Sequence, residues 1–418
     1  MDPTASFWSK LKRYAGPGLL VSVGYMDPGN WATSIQAGAS YGNALLFVVL
    51  LSSLAAIVLQ CLSARLGIAT GRDLAQLCRS SYAPWASRSL WLFAEASIVA
   101  CDVAEVLGCA LAFKLLLNVP LSWGILLTAL DTVLVLGLKG QGFRKVEAIV
   151  LALIFTIGTC LVVELAFIHP DWASVARGLI PSLAALSSQD SLFLSVAILG
   201  ATIMPHNLYL HSSIVGTRKI GLGTVAKRDA ITFSNLDTIA SLSLALLING
   251  AILILAAAAF HATGHSDVRE IDDAYHLLDP IAGTRMAGII FGLGLLASGQ
   301  SSTFTGTIAG QVIMEGFLQL KIPCWQRRAI TRGLALVPAF VGVLILGEHS
   351  VGRLLVLSQV VLSVQLPFAM WPLIRLCSSS AAMGELRIGP VARLVAWSLF
   401  IVVAMANLWM VAQAMGYS

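Results

Sequence analysis

Residues 25–30, Tyr-Met-Asp-Pro-Gly-Asn, interrupt an apolar stretch that runs from residue 17 to residue 37. Pro28 has no backbone N–H and its ring clashes with the preceding helical turn, so a continuous helix cannot pass through this hexapeptide. Open backbone and an acid such as Asp27 are costly in hydrocarbon and are tolerated only where they line a cavity or contact protein. The stretch therefore predicts a broken membrane helix with a functional site at the break.

The composition of the whole chain indicates an integral membrane protein. Of its 418 residues, 57% are hydrophobic and 11% are charged, whereas soluble domains carry about 25% charged residues. Apolar runs long enough to cross roughly 30 Å of hydrocarbon as helices recur along the chain. Eleven spans are predicted, at 17–37, 43–64, 89–113, 121–138, 147–168, 191–213, 236–260, 286–315, 330–347, 354–376 and 391–414. We expect one all-α membrane domain over residues 1–418.

The distribution of Lys and Arg predicts the orientation of this domain. With the N-terminus inside, all but five of the 26 basic residues fall on the inner side, which is what the positive-inside rule requires. The five outer ones are Lys114, Arg177, Arg269, Arg285 and Arg353. The first span begins too late for a secretory signal peptide, so we expect it to be retained. The N-terminus is predicted to be cytoplasmic and the C-terminus outside.

The sixth span contains a matching interruption, Ala-Thr-Ile-Met-Pro-His at 201–206. Pro205 cannot donate to the carbonyl four residues earlier, which leaves the oxygen of Ala201 free about one turn from the Met204 sulfur. Paired interrupted helices in corresponding positions indicate a transporter with a binding site near the bilayer midplane.

Spans one and six each open a set of five, and an odd number of helices inverts the second set relative to the first. This predicts two inverted repeats, at about 17–168 and 191–376, with a peripheral eleventh helix at about 391–414.

If the two breaks meet, they offer the carboxylate of Asp27, the amide oxygen of Asn30, the carbonyl of Ala201 and the thioether of Met204. Oxygen ligands alone suit magnesium or calcium, whereas a thioether adds affinity for softer manganese, iron, cobalt or cadmium. Considered alone, a methionine in a membrane helix more often packs against its neighbours than binds a metal. Jointly, the residues predict a transition-metal site in which the metal is cargo and no cofactor is needed.

Further ionisable residues lie within the spans. Asp102 and Glu105 are three residues apart on one helix face and predict either a proton relay or ion pairs with a neighbouring helix, for which Arg332 is a candidate. His206 is suited to accept a proton at physiological pH, or to a structural role. We expect structural hydrogen bonds for four other acids, Asp131, Glu164, Asp237 and Glu315.

The motifs resemble those of the Nramp divalent-metal transporters, which carry Asp-Pro-Gly-Asn in helix 1 and Met-Pro-His in helix 6; here these are residues 27–30 and 204–206. The similarity extends to segments 101–108, 234–238, 299–303 and 358–368. It implies a LeuT-type fold and uptake of manganese, iron and similar ions by proton symport with alternating access.

Carried over position by position, the resemblance implies the same four ligands, Asp27, Asn30, Ala201 and Met204. It adds Gln359 and Gln60 as accessory ligands or gates, and places basic residues such as Arg332 beside the acids of helix 3. Related magnesium carriers lack the helix-6 methionine, so its presence favours a transition metal.

Two other functions remain open, an amino-acid or organic-cation carrier on the same fold and an ion channel, and a membrane enzyme is the third alternative considered. The catalytic spacings HExxH and GxSxG and the nucleotide motif GxxxxGK[ST] are absent, so no enzyme or ATP-driven pump is predicted. Basic residues are not gathered as nucleic-acid binding requires. The expected partners are divalent metals, protons and lipid, with no protein partner, in a bacterial plasma or inner membrane.

Overall fold

The computed structural model describes residues 7–130, 143–218, 220–221, 223–284, 286–320 and 322–415, and these ranges are helical without a strand. The helices of the first half are α1 (Phe7–Tyr14), α2 (Pro17–Gly24), α3 (Pro28–Tyr41), α4 (Leu46–Thr70), α5 (Leu74–Ser81), α6 (Pro84–Leu117), α7 (Leu121–Leu127), α8 (Phe143–Ile168) and α9 (Trp172–Gly178). Those of the second half are α10 (Gln189–Ile203), α11 (Pro205–Ile214), α12 (Thr224–Ala256), α13 (Ile271–Ala282), α14 (Ala287–Leu318), α15 (Cys324–Leu346), α16 (Val351–Ser378), α17 (Ser380–Met383) and α18 (Pro390–Ala414).

Each predicted span coincides with helix over most of its described residues, apart from the interruptions in the first and sixth spans. Among the described residues, eight helical segments are long and apolar enough to cross a membrane by length and hydropathy alone. One of them, Pro28–Thr70, contains both the end of the first predicted span and the second. The span at 286–315 corresponds to the full-length helix α14, which is rich in Gly, Ser and Thr. The span at 121–138 corresponds to α7 and a 3₁₀ turn up to Leu130; its remainder, with Asp131, lies outside the described residues, as does Arg285.

Both predicted breaks are present. Helix α2 ends at Gly24 and α3 begins at Pro28, whereas α10 ends at Ile203 and α11 begins at Pro205. Proline suits the first position of a helix because the N–H it lacks has no partner there. The same residue that ends one half-helix therefore begins the next.

The half-helices pack in the order that inverted repeats require. The second half of the first broken helix, α3, packs against the first half of the other, α10, and α2 packs against α11. Helices α4, α6, α12, α14 and α16 surround this centre, and α18 lies at the edge, where it contacts mainly α16. The two breaks are thereby brought together in the middle of the bundle.

Candidate metal-binding site

Asp27 lies at the start of α3 and is fully buried. Its Oδ1 caps the helix by accepting a hydrogen bond of 2.9 Å from the backbone N–H of Asn30, as expected of an aspartate at a helix N-terminus. Its Oδ2 has no hydrogen-bond partner among the described residues. One carboxylate oxygen thus holds the break in shape, and the other is free to bind a ligand.

Asn30 connects the two breaks. Its Nδ2 donates to Asp27 Oδ1 at 2.7 Å and to the carbonyl oxygen of Ala201 at 3.0 Å. The Ala201 oxygen is available because Pro205, four residues later, cannot donate to it. The structure thus brings together three of the four predicted ligands through direct contacts.

Met204 is the residue at which the second helix breaks, with φ of 20° and ψ of 100°. Positive φ is uncommon for a residue with a side chain. Its sulfur accepts a hydrogen bond from Asn207 Nδ2 at 3.7 Å, and its carbonyl accepts one from the Asn207 N–H at 3.1 Å. Asn207, which the sequence did not single out, therefore holds Met204 at the break.

At the first break, side chains of neighbouring helices donate to two backbone carbonyls. The oxygen of Tyr25 accepts a hydrogen bond of 2.8 Å from Asn249 of α12, and that of Met26 accepts one from Ser298 of α14. Buried backbone oxygens require such partners. Sequence reasoning missed both residues, although an asparagine within an apolar helix such as α12 is a signal that could have found Asn249.

The two predicted accessory residues, Gln359 and Gln60, make different contacts. Gln359 rests on Gly29, where the Cβ of any other residue would lie 1.8 Å from Gln359 Nε2, so glycine is needed for this approach. Gln60 instead donates to the Tyr25 hydroxyl at 2.7 Å and contacts His211 Nδ1 through its oxygen at 2.9 Å. Gln359 is therefore next to the first break and its predicted ligands, while Gln60 connects α4 to α11.

The acids of α6 form a buried cluster with arginines of α15. Asp102 Oδ1 lies 2.6 Å from Arg328 Nη1, and Glu105 Oε2 lies 3.4 Å from Arg328 Nη2 and 3.7 Å from Arg332 Nη1. Thr303 also donates to Glu105 Oε2 at 3.0 Å. None of the four charged side chains is more than 2% exposed. The negative charges of the two acids and the positive charges of the two arginines thus compensate one another inside the bundle.

Arg328 was missed as a partner of these acids, although it lies one helical turn before Arg332 and the i,i+4 spacing places both on one face. The orientation argument treated Arg327, Arg328 and Arg332 as part of an inner connecting segment, but all three are buried in α15. Arg327 pairs with Glu95 at 2.7 Å. These arginines therefore form ion pairs between helices, in addition to the part they play in the prediction of membrane orientation.

The remaining predicted residues are found in different settings. His206 is 1% exposed, and neither ring nitrogen has a hydrogen-bond partner among the described residues. Asp237 accepts from the N–H groups of Gly16 and Gly18, and Glu315 accepts from Gln311, as expected. For Glu164 the expected hydrogen bond is wrong, because both its oxygens are buried without a partner in the described part of the chain.

The donors at the breaks differ from those of most protein metal sites. Within the described ranges, no three His, Cys, Asp or Glu side chains gather closely enough to hold an ion. Helices α2 and α10 end at the breaks, and helix C-termini carry partial negative charge that favours a cation. A single carboxylate, neutral oxygens and a thioether can therefore bind a divalent ion without neutralising it fully.

Comparisons with known proteins agree on one family. The family model described as natural resistance-associated macrophage protein-like, Nramp, matches residues 18–413. A Ralstonia nicotianae protein named divalent metal cation transporter MntH is 67% identical over 415 residues, which cover 99% of this chain and 94% of that protein.

Solved structures agree as well. The Eremococcus coleocola manganese transporter, bound to an aromatic bis-isothiourea compound, superposes with a TM-score of 0.91 at 39% identity over 99% of this chain and 89% of that one. MhsT in complex with L-phenylalanine has the same LeuT-type fold, with a TM-score of 0.64 at 15% identity over 94% of this chain and 98% of that one. The chain therefore belongs to the Nramp family, a family of transporters and not of enzymes.

Proposed function

We propose that this protein imports divalent transition-metal ions, manganese above all and also iron, and that cadmium and cobalt suit the same ligands. The observation that carries the proposal is the meeting of Asp27 and the Ala201 carbonyl across the two helix breaks, bridged by Asn30. The names of the relatives support it, since the R. nicotianae protein is named a divalent metal cation transporter and the E. coleocola protein a manganese transporter.

The hydrogen bonds of Asn30 indicate where the ion binds. Its Nδ2 group presents partially positive hydrogens to two oxygens, Asp27 Oδ1 and Ala201 O. A divalent cation satisfies the same two oxygens more strongly than a neutral donor does. Rotation of the amide then turns its own oxygen towards the ion, and the Met204 sulfur completes a set with one soft ligand.

We further propose that uptake is proton symport with alternating access. The buried cluster of Asp102, Glu105, Arg328 and Arg332 balances its charges, so a proton bound there changes the net charge and the attraction between α6 and α15. His206, one residue past Pro205, has ring nitrogens without a hydrogen-bond partner in the described part of the chain and is proposed to connect the metal site to this cluster.

An amino-acid carrier on the same fold is the principal alternative, and the first break disfavours it. Such a carrier binds the substrate carboxylate at a free half-helix N-terminus. Here the Asp27 carboxylate already caps α3, so a second carboxylate would meet like charge. The charge of Asp27 would suit an organic cation, and it is the thioether of Met204 that disfavours one. A channel is disfavoured by the broken half-helices, which suit alternating access.

We place the protein in the bacterial plasma or inner membrane, with the N-terminus cytoplasmic and the C-terminus outside. The support is the distribution of basic residues, because all but five of 26 fall on one side. Labelling of single cysteines introduced at each terminus by a membrane-impermeant reagent on intact cells tests this orientation.

Uptake by liposomes containing the purified protein tests the function. Manganese, iron, cadmium, magnesium and calcium are supplied in turn, with a pH-sensitive dye enclosed. We expect saturable uptake of the first three, acidification of the interior during uptake, and exclusion of calcium and magnesium. Uptake that never acidifies the interior under any imposed gradient would show that symport is wrong, and single-channel conductance would show a channel.

A further inference from the structure

A groove lies between α6, α16 and α18 and contains none of the candidate metal ligands. It encloses a cavity of about 530 Å³, and its walls are mainly aromatic. We refer to it as the aromatic groove, defined by Trp85, Phe93, Pro367, Phe368, Trp371 and Phe400. Phe93 and Phe368 stack across it with their centroids 4.2 Å apart and their planes 15° apart.

The aromatic groove opens towards the bilayer. Trp85 is 75% exposed, and Phe93, Phe368 and Trp371 are about two-fifths exposed. The three helices that form it are predicted to cross the membrane, so the medium beside these side chains is lipid. Tryptophan and tyrosine near helix ends mark the level of the lipid headgroups. The surrounding lipids supply acyl chains, and an acyl chain is therefore the expected occupant of this apolar cleft.

A second cavity, of about 370 Å³, continues the groove at the end where α6 begins and α16 ends. We refer to it as the basic pocket, defined by Arg72, Ser80, Tyr82, Arg375 and Ser379. Tyr82 lines both cavities, and the Arg375 guanidinium lies 5.6 Å from the centre of its ring. An apolar cleft thus passes directly into a cavity with two arginines and several hydroxyl groups.

The basic pocket carries positive charge from two arginines. Arg72 and Arg375 take part in none of the ion pairs within 4.0 Å among the described residues. Arg72 Nη2 is hydrogen-bonded to the Gln76 carbonyl and the Ser80 hydroxyl. The neighbouring acid, Asp73, caps α5 by accepting from the Gln76 N–H at 2.8 Å. Guanidinium groups of this kind favour phosphate.

We propose that the aromatic groove and the basic pocket together bind one anionic phospholipid of the cytoplasmic leaflet. The phosphate lies between Arg72 and Arg375, and an acyl chain lies along Phe93, Phe368 and Trp371. The assignment of the leaflet rests on the orientation proposed above, whereas the site itself does not depend on metal transport. The bound lipid bridges α6 and α16 and stabilises their contact, because a ligand that binds the folded state raises stability.

Native mass spectrometry of the purified full-length protein tests the site, with phosphatidylglycerol as the anionic probe and phosphatidylcholine as the zwitterionic one. The Arg72→Gln/Arg375→Gln double variant removes the charge, and Ala86→Phe fills the groove without altering any charge. Arg393→Gln is the matched control, because Arg393 is an exposed base near the start of α18 that lines neither cavity. Thermal melting with and without each lipid is the second readout.

We expect the wild type and Arg393→Gln to retain one phosphatidylglycerol molecule and to melt at a higher temperature in its presence. The double variant and Ala86→Phe should retain at least tenfold less and show no rise in melting temperature. Four outcomes overturn the proposal: equal retention by Ala86→Phe, equal retention by the double variant, equal binding of phosphatidylcholine, and displacement of the lipid by millimolar inorganic phosphate. A dimer that Ala86→Phe dissociates would instead assign the groove to a second copy of this chain.

Discussion

At the scale of single residues, the proposed ligands at the breaks also stabilise the fold. Asp27 caps α3 with one oxygen, and its other oxygen has no hydrogen-bond partner among the residues that the structure describes. Asn30 donates to both Asp27 and Ala201 through one amide group. Because these hydrogen bonds are made within the protein, the site keeps its shape before an ion arrives. Substitutions at these positions therefore test binding and stability together, and each needs a control for insertion and folding.

Asp27→Ala should abolish uptake of every metal, because it removes the one charged ligand at the breaks. The matched control is Asp171→Ala, since Asp171 also caps a helix, α9, but is 65% exposed in its side chain. Radiometal uptake by liposomes that contain equal amounts of folded protein is the measurement. Near wild-type uptake by Asp27→Ala would remove this residue from the site.

Met204→Ala should change selectivity more than activity, because it removes the soft ligand and leaves the oxygens of Asp27, Asn30 and Ala201. Cadmium should lose the most affinity and manganese less, and calcium or magnesium should begin to compete. Competition curves for cadmium, manganese and calcium on the wild type and the variant are the measurement. Parallel losses for all metals, with calcium still excluded, would contradict a ligand role and indicate that Met204 only packs.

At the scale of elements, proline placement and ion pairs decide how the helices meet. Pro28 and Pro205 begin α3 and α11 at the two breaks, and the half-helices then pack α3 on α10 and α2 on α11. Helices α6 and α15 are joined by charges that are buried in the bundle. Removing one partner of such a buried ion pair lowers stability more than removing both, because the charge that remains is buried without an opposite charge.

Arg328→Gln should lower the free energy of unfolding by roughly 3–5 kcal/mol, since it leaves Asp102 without its guanidinium. Asp102→Asn combined with Arg328→Gln should recover most of that loss, because no charge is then left unpaired. The exposed pair Arg228–Glu385, at 3.7 Å, is the control and should contribute at most about 1 kcal/mol. Melting of the single and double variants in detergent measures the coupling. Additive losses at Arg328 and Asp102 would show that the pair does not interact.

At the scale of the whole molecule, the segment between α12 and α14 is fastened to the start of α16. Glu270 accepts a hydrogen bond from the backbone N–H of Gly352, and Lys114 of α6 lies 3.2 Å from Asp272 and 3.4 Å from Glu348. Burial raises the pKa of the Glu270 carboxyl above its ordinary value, against the opposing effect of the Gly352 and Arg353 N–H groups. The contact therefore responds to pH.

The sign follows from linkage: a carboxyl whose pKa is raised by folding binds protons more tightly in the folded state. Its contribution to stability is greatest at low pH and declines as the pH rises through the ordinary and then the raised pKa. Glu270→Gln should reduce this decline, whereas Asp267→Asn, at an exposed acid nearby, should leave it unchanged. Melting temperatures of the wild type and the two variants between pH 4 and pH 8 measure this decline. An identical pH profile for the wild type and Glu270→Gln would contradict the assignment.

The sequence by itself determined the fold class, the two breaks and the residues at them. Hydropathy reports each span locally, and a proline acts on the carbonyl four residues before it, so Asp27, Asn30, Ala201 and Met204 could be chosen without a structure. Five helices before the second break predicted the inversion that the packing of α3 on α10 confirms.

Only the tertiary structure decided which distant side chains complete these local features. Asn249, Ser298 and Asn207 support the breaks, and Arg328 is the nearest base to Asp102. These contacts join residues more than a hundred positions apart, or depend on the turn at Met204, so no local pattern specifies them. Glu164 shows the converse, since its sequence setting suggested a hydrogen bond that no described residue provides. Hydrogen bonds and ion pairs act over a few ångströms, and only the packing of the helices brings their partners within that range.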